Sequence, residues 1–397
     1  MIVEPFFRGA LSATAHPAGC RAQVRAWIDR LANLTPGRPV RALVIGSSGG
    51  VGLAARIVTA FGAGSPSIGV ALERPGVANR PGTAGWYRCV AFEDAAAEAG
   101  LSSRTVIGDA FADTVKARVA ELVAAELGQL DLLLYSVAAP RRHNPRTGCD
   151  HRSVIKSLGQ PFSERGYDLG SAQVLPMSMP VASPAELADT VAVMGGEDLA
   201  WWVELLRDRR LLATGFSCVA LSYVGVPRLA ASYRAGTLGA AKDHLERTVR
   251  ELDAQLRQHL DGSAEVAVLR ALVTQSSAVI PMNTLYTMLL MRVLAERAAG
   301  EDVLDQAVRL LDTGAAAVPT GRDSRNRRRL DDREQRADVQ DELWRRWSRA
   351  STETVDELAA VADYRGELHA LYGFGVAGVD YAADVDPVCH SDRLVLA

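Results

Sequence analysis

Six short runs rich in valine, isoleucine and leucine alternate with amphipathic segments through the first two thirds of this 397-residue chain. The runs are Ala42–Ile45, Ile68–Leu72, Thr105–Ile107, Leu132–Ser136, Phe216–Val224 and Val266–Val273. Continuous apolar runs separated by helical patterns indicate strands that are buried on both faces of a parallel sheet. We therefore predict an α/β protein in which helices cover both faces of a doubly wound sheet.

The remaining segments predict helices and one departure from the sheet. Helical patterns occupy Asp113–Leu127, Ala185–Val193, Asp198–Arg207, Ala240–Leu260 and Met282–Ala298. Residues 141–183 are rich in proline, glycine, serine and charges, and such an excursion above a sheet commonly builds a substrate pocket. We predict a single domain over residues 1–397, with a substrate loop at about 141–210 and an added helical substrate-covering region at about 282–380.

The composition argues against several classes of protein. With 48% hydrophobic residues and a formal net charge of −3, the chain predicts a globular core and neither a nucleic-acid partner nor a membrane surface. Its apolar runs are shorter than the roughly 18 residues of a membrane span. The five cysteines are widely spread and lack metal-ligand spacing, so we expect no metal site and a reduced, cytoplasmic location.

A glycine-rich turn joins the first strand to a helix. Gly46, Gly50 and Gly52 give the spacing GxxxGxG directly after the apolar run that ends at Ile45. Glycines allow a tight turn in which backbone N–H groups and the positive end of the helix approach a pyrophosphate. The turn predicts a Rossmann-like dinucleotide site, although a glycine loop without a ligand stays the alternative.

Acidic residues at the ends of the next two strands point to the kind of nucleotide. Glu73 closes the second strand, where a carboxylate accepts hydrogen bonds from ribose hydroxyls and repels a 2′-phosphate. Arg74 follows and could pair with such a phosphate, so the sequence favours NADH over NADPH without excluding the latter. Asp109 after the third strand either meets the adenine or caps the helix that follows.

Tyr233 and Lys242 form the most informative pair, because Lys242 is one of three lysines among 44 basic residues. Nine positions along one helix rotate by about 900°, which would place the two side chains on opposite faces. Gly236 and Gly239 break the helix between them, and Thr237 is a suitable N-cap. The helix is therefore predicted to start near Thr237, with Tyr233 in the preceding loop and folded back toward Lys242.

The pair suggests chemistry in a nicotinamide enzyme. A phenol placed there donates to the substrate oxygen, while the ammonium holds the nicotinamide ribose and favours the acidity of the phenol. Tyr223, at the end of the fifth strand, is placed to contact the same oxygen or to pack. An interface tyrosine beside a solvated lysine is the alternative interpretation of the pair.

Several motifs together resemble the FabV-type trans-2-enoyl-ACP/CoA reductases, a short-chain-reductase-like family marked by an eight-residue gap between tyrosine and lysine. The likeness covers nearly the whole chain. It is carried by Thr14–Cys20, residues 46–52, Glu73–Gly76, Pro81–Tyr87, Gly108–Phe111, Val193–Asp198, Tyr233 with Lys242, Val273–Ser277, Arg329–Asp332 and Leu371–Gly375.

The resemblance implies a monomeric oxidoreductase of fatty acid biosynthesis that uses NADH to reduce the C=C bond of a trans-2-enoyl thioester of CoA or acyl carrier protein, or of a related small enoyl substrate. Tyr233, Lys242 and Tyr223 are then catalytic. The implied and derived cofactor contacts are Gly46, Ser47, Ser48, Gly50, Val51, Gly52, Glu73, Arg74, Asp109, Ala110, Ser136, Val137, Ala138, Lys242 and Thr274. The expected substrate contacts are Tyr223, Ala139, Met194, Gly195, Gly196 and Ser276.

Four positions depart from the family pattern. Val51 stands where the family has tyrosine, Ala139 replaces serine, and Leu199 and Arg333 each replace tryptophan. We interpret these departures as clustering nearer the substrate than the cofactor. They predict reductase chemistry on an altered acyl substrate, in specialised metabolism.

Other signals leave alternatives open. The arginine-rich loop at Arg322, Arg325, Arg327, Arg328 and Arg329 either binds phosphates or an acidic carrier, or pairs with neighbouring carboxylates, which we favour. His16 beside Pro17 is expected to be structural. A short-chain carbonyl reductase or alcohol dehydrogenase with the same tyrosine and lysine, and a nucleotide-sensing protein without turnover, are the competing functions.

Overall fold

A computed structural model of the chain describes residues 1–33, 37–280, 282–311 and 321–397. The predicted covering region at 282–380 therefore includes nine residues, 312–320, that lie outside the described part. The strands are β1 (Phe7–Arg8), β2 (Leu11–Ser12), β3 (Ala42–Ile45), β4 (Ser67–Ala71), β5 (Ser103–Ile107), β6 (Leu130–Tyr135), β7 (Arg141–His143), β8 (Asp150–Arg152), β9 (Phe162–Asp168), β10 (Gln173–Met179), β11 (Leu212–Ser222), β12 (Ser263–Val268), β13 (Arg328–Arg329) and β14 (Leu394–Leu396).

Helices fill most of the chain between the strands. They are α1 (Pro17–Arg30), α2 (Gly50–Ile57), α3 (Ala84–Glu98), α4 (Asp113–Leu122), α5 (Pro184–Met194), α6 (Glu197–Asp208), α7 (Thr237–Leu260), α8 (Asn283–Glu296), α9 (Val303–Leu311), α10 (Ala337–Arg349), α11 (Val355–Leu358) and α12 (Val361–Ala370). Wider turns at Val58–Gly62 and Val123–Leu127 continue α2 and α4, and 3₁₀ turns lie at Leu31–Asn33 and Pro227–Ser232.

Eight strands form one parallel sheet in the order β13-β12-β11-β6-β3-β4-β5-β14. Alternate residues of β3 point to opposite faces, as the pleat requires. Leu43 and Ile45 enter a core shared with α4, α6 and α7, whereas Ala42 and Val44 enter a core shared with α2 and α9. The predicted doubly wound, Rossmann-like sheet is confirmed.

Two details of the predicted sheet are wrong. The last predicted strand ends at Val268, so residues 269–273 run beyond the sheet as a loop. The excursion at 141–183 contains two antiparallel hairpins, β7–β8 and β9–β10, which the proline- and glycine-rich sequence did not indicate. Edge strands β13 and β14 were also not predicted, because runs of two and three residues carry too little pattern.

A third apolar core lies beyond the carboxyl edge of the sheet. Helices α8, α10, α11 and α12 pack there with β9 and β10, around Trp347 and Tyr286, both almost fully buried. The core contains the helix predicted at Met282–Ala298, and its role in covering a substrate stays a prediction. Within the described residues, every helix is too short or too polar to cross a membrane.

Candidate active site

The glycine turn lies where β3 passes into α2. Gly46 and Gly50 have φ of +85° and +53°, values that glycine adopts without strain. A Cβ on Gly46 would overlap the carbonyl oxygen of Ser136, and one on Gly52 would overlap the carbonyl oxygen of Gly46. Gly49 caps α2 without a side-chain hydrogen bond. The first N–H groups of α2 are thus left for another acceptor.

Thr274 and Ser136 border this turn from neighbouring strands. A Cβ on Gly50 would lie 3.7 Å from the Cγ2 atom of Thr274, so the loop after β12 reaches the turn after β3. The Ser136 N–H donates to the carbonyl oxygen of Ile45 over 2.8 Å and continues the pairing of β6 with β3. Sequence positions 46, 136 and 274 therefore meet at one point of the carboxyl edge.

Glu73 and Arg74 occupy different surroundings at the end of β4. The Glu73 carboxylate lies against Gly85, in the first turn of α3, where a Cβ would overlap it. The Arg74 guanidinium donates to the carbonyl oxygen of Pro81 over 3.2 Å. Arg74 is thereby turned toward its own loop, and the carboxylate stays at the end of the strand.

Asp109 caps the turn after β5, where its Oδ1 accepts from the Phe111 N–H over 3.0 Å. The carbonyl oxygen of Ala110 accepts from Lys116 Nζ at 2.9 Å and from the Trp202 indole at 3.2 Å. Lys116 also pairs with buried Asp198 at 2.7 Å. The loop that carries two predicted cofactor contacts is thus fastened to α4 and α6.

The predicted break between Tyr233 and Lys242 is present. Helix α7 begins at Thr237, and Tyr233 ends the preceding 3₁₀ turn. The carbonyl oxygen of Tyr233 accepts from the Gly239 N–H over 2.9 Å. Lys242 follows Gly239 by three residues and lies on the same face of the helix. The backbone of Tyr233 therefore rests on the first turn of the helix that carries Lys242.

The predicted N-cap role of Thr237 is wrong. Gly236 is the N-cap residue, and Thr237 is the first helical residue. The Thr237 hydroxyl donates to the carbonyl oxygen of Val154 at 2.5 Å and accepts from the Lys156 N–H at 3.2 Å. Tertiary partners from the excursion have replaced the local cap, so Thr237 joins the substrate loop to α7.

Arg234 holds the Tyr233 loop against α7, a role that sequence analysis missed. Its guanidinium pairs with Asp243 and donates to Glu246 at 3.0 and 3.2 Å. A Cβ on Gly239 would overlap the carbonyl oxygen of Arg234, so the close approach needs glycine at that position. The spacing of Arg234 to Asp243 and Glu246 was visible in the sequence, but many surface pairs share such a spacing.

Tyr233 and Lys242 are both buried, each with 8% of its surface exposed. Among the described residues, neither the Tyr233 hydroxyl nor the Lys242 ammonium has a hydrogen-bond partner. Burial lowers the pKa of Lys242 to about 8, against the opposing effect of Glu246. Burial also raises the pKa of Tyr233. Two strong donors, one just before α7 and one in its second turn, thus lack a protein partner among the described residues.

Tyr223 contacts Tyr233 edge to face, with ring centroids 5.1 Å apart. Its hydroxyl donates to Oε1 of buried Glu334 over 3.1 Å. In this arrangement the hydroxyl is already engaged by a carboxylate. Glu334 lies 111 positions away in the sequence, and no local pattern pointed to it.

An apolar cluster surrounds the Tyr233 ring. It consists of Tyr233, Leu238 and Ile280, with Ile155, Met194 and Tyr223 packed against them. The Ala139 N–H donates to the Met194 sulfur at 3.4 Å, which joins two predicted substrate contacts. Ile155, Leu238 and Ile280 were missed, because isolated apolar residues in loops carry no functional signal.

Other predicted substrate contacts lie farther around the site. Gly195 and Gly196 pack against His244 and Thr248 of α7, and the Gly196 N–H donates to His244 Nδ1 over 3.0 Å. The hydroxyl of exposed Ser276 lies 3.2 Å from that of Thr274. Their contact with substrate stays a prediction.

Among the four family departures, Ala139 alone contacts the apolar cluster. Leu199 is fully buried in the core shared with α4, and Val51 in the core shared with α2. Arg333 lies 3.5 Å from Glu301. Two of the four replacements are thus core substitutions, and the closer association of the departures with the substrate stays a prediction.

The arginine-rich loop pairs with carboxylates, as the favoured interpretation predicted. Arg322 pairs with Glu265, Arg325 with Asp243, and Arg327 with Glu246. His16 is buried, and its Nδ1 accepts from the Gly19 N–H at the start of α1, which confirms its structural role. Within the described residues, the acidic, histidine and cysteine side chains form no group of three or more that could hold a metal ion.

A glycine turn between the first strand and helix of a parallel sheet, with a buried tyrosine and lysine at its carboxyl edge, defines a nicotinamide-dependent reductase of the Rossmann class. Family models match residues 2–78 as the NAD(P)H binding domain of trans-2-enoyl-CoA reductase and residues 80–314 as the trans-2-enoyl-CoA reductase catalytic region. The chain belongs to the trans-2-enoyl-CoA reductase family. The predicted family, enzyme class and NADH cofactor are thereby confirmed.

Curated relatives and solved structures agree over almost the full length. A protein of Coxiella burnetii named enoyl-acyl-carrier-protein reductase (NADH) is 44% identical, with 97% of this chain and 96% of the relative covered. A protein of the same name from Opitutus terrae is 43% identical, with 98% and 99% covered. The trans-2-enoyl-CoA reductase of Clostridium acetobutylicum, solved with NADH, matches with a TM-score of 0.94 at 36% identity, with 98% of each chain covered. That of Treponema denticola, solved with NAD, matches with 0.90 at 38% identity, with 97% of this chain and 98% of that one covered.

A third family model, described as an enoyl reductase FAD binding domain, matches residues 322–385. The residues there do not fit a flavin dinucleotide. Arg322 and Arg327, which could meet a pyrophosphate, are paired with carboxylates. Gly373 packs against the start of α1, where a Cβ on it would lie 2.6 Å from both the Cys20 nitrogen and the His16 carbonyl oxygen. This contact leaves no space for a ligand between Gly373 and α1. No step of the chemistry is assigned to a flavin.

Proposed function

We propose that the chain reduces the 2,3-double bond of a trans-2-enoyl thioester with NADH, using Tyr233 and Lys242 as catalytic residues. The observation that carries this proposal is the pair of buried, unpartnered donors on the first turns of α7, beside an apolar cluster. Because no protein group occupies the Tyr233 hydroxyl or the Lys242 ammonium among the described residues, both donors are available to the oxygen acceptors of bound ligands.

The cofactor is assigned to the carboxyl edge between β3 and β4. Its pyrophosphate meets the free N–H groups of α2 at Gly50, Val51 and Gly52, and its adenosine ribose meets Glu73. The engagement of Arg74 with Pro81 leaves that arginine turned away from a 2′-phosphate, which supports NADH over NADPH. Thr274, beside Gly50, reaches toward the nicotinamide half.

The reaction adds a hydride to the β-carbon and a proton to the α-carbon; bound NADH supplies the hydride, and solvent supplies the proton once the enolate has formed. Negative charge then moves to the thioester oxygen. Tyr233 stabilises this enolate by donating its hydroxyl hydrogen, a contribution on the order of 3 kcal/mol at the transition state. The Lys242 ammonium holds the nicotinamide ribose and lowers the electrostatic cost of negative charge near Tyr233.

The acyl group is assigned to the apolar cluster around Tyr233. Ile155, Ile280 and Met194 present methyl and thioether groups beside the phenol, which suits an alkyl chain next to a thioester. Ala139 stands where the family has serine and is smaller and less polar. The wall of the acyl site next to Met194 is therefore wider and less polar than with serine. The hypothesis of an altered acyl substrate now rests on this one substitution.

The thioester carrier and the cellular location are assigned as follows. Either CoA or acyl carrier protein presents the thioester, and the enzyme acts as a cytoplasmic monomer made of one domain over residues 1–397. The free state of all five cysteines, three of them buried, supports a reduced environment.

Initial rates of NADH oxidation test the function. Enoyl-CoA and enoyl-carrier substrates of several chain lengths are compared with matched ketones, in the wild type and in Tyr233→Phe. We expect turnover of enoyl thioesters, a much lower rate in the variant, and little reaction with ketones. Turnover of ketones without enoyl thioesters would assign the site to carbonyl reduction instead.

A further inference from the structure

Glu334 sits at the centre of a buried hydrogen-bond network behind the active site. Its side chain is fully buried, and its Oε1 accepts from the hydroxyls of Tyr223 at 3.1 Å and Tyr286 at 2.8 Å. Its Oε2 accepts from the Ala271 N–H at 2.6 Å. One carboxyl group thus joins the end of β11, the loop that leads to Thr274, and helix α8.

The charged groups around Glu334 have opposite effects on its pKa. Arg270, in the loop after β12, favours the carboxylate, while Asp331 disfavours it. The phenols of Tyr223 on β11 and Tyr286 on α8 face the same oxygen. Burial outweighs the attractive contacts and raises the pKa of Glu334. The protonated form is therefore accessible at a higher pH than for an exposed glutamate.

The network determines where a proton on Glu334 would point. Oε2 faces a backbone N–H, which cannot accept a hydrogen bond, whereas both partners of Oε1 are hydroxyls that can accept as well as donate, so a proton on Oε1 finds an acceptor. The Tyr286 oxygen already accepts from Gln340 Nε2 at 3.1 Å. Among the described residues, the Tyr223 oxygen has no second partner. The carboxyl hydrogen is thus directed to Tyr223.

This reversal releases the hydrogen of the Tyr223 hydroxyl. The Tyr223 hydroxyl carries one hydrogen, which it donates to Glu334 when the carboxylate is ionised. When Glu334 donates instead, that hydrogen turns away from the carboxyl group. The Tyr233 ring lies 5.1 Å from the Tyr223 ring between centroids, so the released hydrogen is available to the substrate oxygen assigned to Tyr233.

We propose that Glu334 is a positioning residue whose protonated form makes Tyr223 a second donor to the enolate, and whose ionised form withdraws that donor. The inference rests on the proposed function, since it concerns the same enolate. Glu334 touches neither substrate nor cofactor and acts through Tyr223. No bond is broken; a hydrogen bond between two oxygens changes direction.

The test is the pH profile of kcat at saturating NADH and enoyl thioester, in the wild type, Glu334→Gln, Tyr223→Phe and the double variant. Wild-type kcat should fall as pH rises through the ionisation of Glu334, by about tenfold to a hundredfold, the effect of one hydrogen bond to a charged oxygen. Glu334→Gln should lack this fall, because its amide N–H donates to Tyr223 while its amide oxygen accepts from Ala271. Tyr223→Phe should be slow and flat, and the double variant should equal Tyr223→Phe.

Tyr286→Phe is the matched control, because it removes the other phenol from the same oxygen. It should lower thermal stability and keep the fall of kcat with pH, displaced to higher pH because the phenol that favours the Glu334 carboxylate is lost. A pH-dependent fall that persists unchanged in Tyr223→Phe would overturn the inference even if Glu334→Gln does not fold. Equal losses from Glu334→Gln with and without Tyr223 would also overturn it. A wild type that oxidises no NADH with any enoyl thioester would instead refute the proposed function, and with it the enolate.

Discussion

Lys242 shows how burial changes the meaning of a single side chain. Lysine is rare in this arginine-rich chain, but the rarity of a residue does not by itself indicate a catalytic role. In the structure Lys242 is 8% exposed and has no hydrogen-bond partner among the described residues. Its pKa falls from 10.5 to about 8, so the charge of the side chain depends on pH close to the range in which enzymes work.

This shift predicts a pH-dependent affinity for NADH. Below about pH 8 the free protein carries an ammonium ready to hold the ribose, whereas above it Lys242 is neutral and must take up a proton to do so. The Kd for NADH should rise by up to about tenfold per pH unit from pH 8 toward 10.5. Fluorescence titration measures it, with Lys242→Met as the control that should bind weakly and without this dependence. An identical pH dependence in Lys242→Met would contradict the assignment.

Tyr233 should contribute to rate more than to binding. Replacement by phenylalanine removes only the hydroxyl, which has no partner in the ligand-free protein. We expect kcat to fall on the order of a hundredfold, in line with the loss of one oxyanion donor, while the melting temperature changes little. Steady-state kinetics and thermal unfolding measure the two effects. Unchanged kcat in Tyr233→Phe would remove the catalytic assignment.

At the scale of elements, the start of α7 brings the site together. The glycines at 236 and 239 allow the chain to turn back, and Thr237 ties the helix to Val154 of the substrate loop. Arg234 then fixes the Tyr233 loop through Asp243 and Glu246. The same two carboxylates receive Arg325 from the arginine-rich loop.

Arg234 and Arg325 therefore form a matched pair for mutation. Arg234→Ala should loosen the Tyr233 loop and lower kcat by about tenfold, the equivalent of roughly 1.4 kcal/mol. Arg325→Ala, on a half-exposed side chain that contacts the same carboxylates from outside, should change kcat little. Comparison of kcat at saturating substrate distinguishes the two. Equal effects would show that the carboxylates, and not the Tyr233 loop, set the rate.

For the whole molecule, the central sheet crosses the boundaries of the three family segments. Strands β3 and β4 come from residues 2–78, but their neighbours β6 and β5 come from residues 80–314. β14 completes the sheet beside β5 from the end of the chain. The β3–β4 pair, which carries the nucleotide turn, therefore has strand neighbours on both sides that lie outside its own segment.

A fragment of residues 1–78 should accordingly neither fold nor bind NADH. In isolation, β3 and β4 would lose their strand neighbours on both edges and the cover of α4, α6 and α7 on one face. Two strands with their own helices bury too little surface to offset the loss of chain entropy. Circular dichroism and NADH titration of the fragment, beside the full chain, measure this. Cooperative unfolding with NADH binding by the fragment would contradict a single domain.

Features that depend on neighbouring residues could be predicted from the amino-acid sequence. The alternation of apolar runs predicted a parallel sheet, the glycines at 46, 50 and 52 predicted the nucleotide turn, and the glycines between Tyr233 and Lys242 predicted the break before α7. Each follows from backbone sterics or from burial that a short window of sequence records. The resemblance of motifs then extended these features to a family and a reaction.

Contacts between groups that are distant in the sequence became visible only in the folded chain. Glu334 binds Tyr223 across 111 positions, and Thr274 reaches the turn at Gly50. The Thr237 hydroxyl, predicted to cap α7, donates instead to the carbonyl oxygen of Val154. The reason is physical: a buried polar group takes whichever partner the packed chain brings within about 3 Å, and the sequence contains the donors and acceptors without the distances between them.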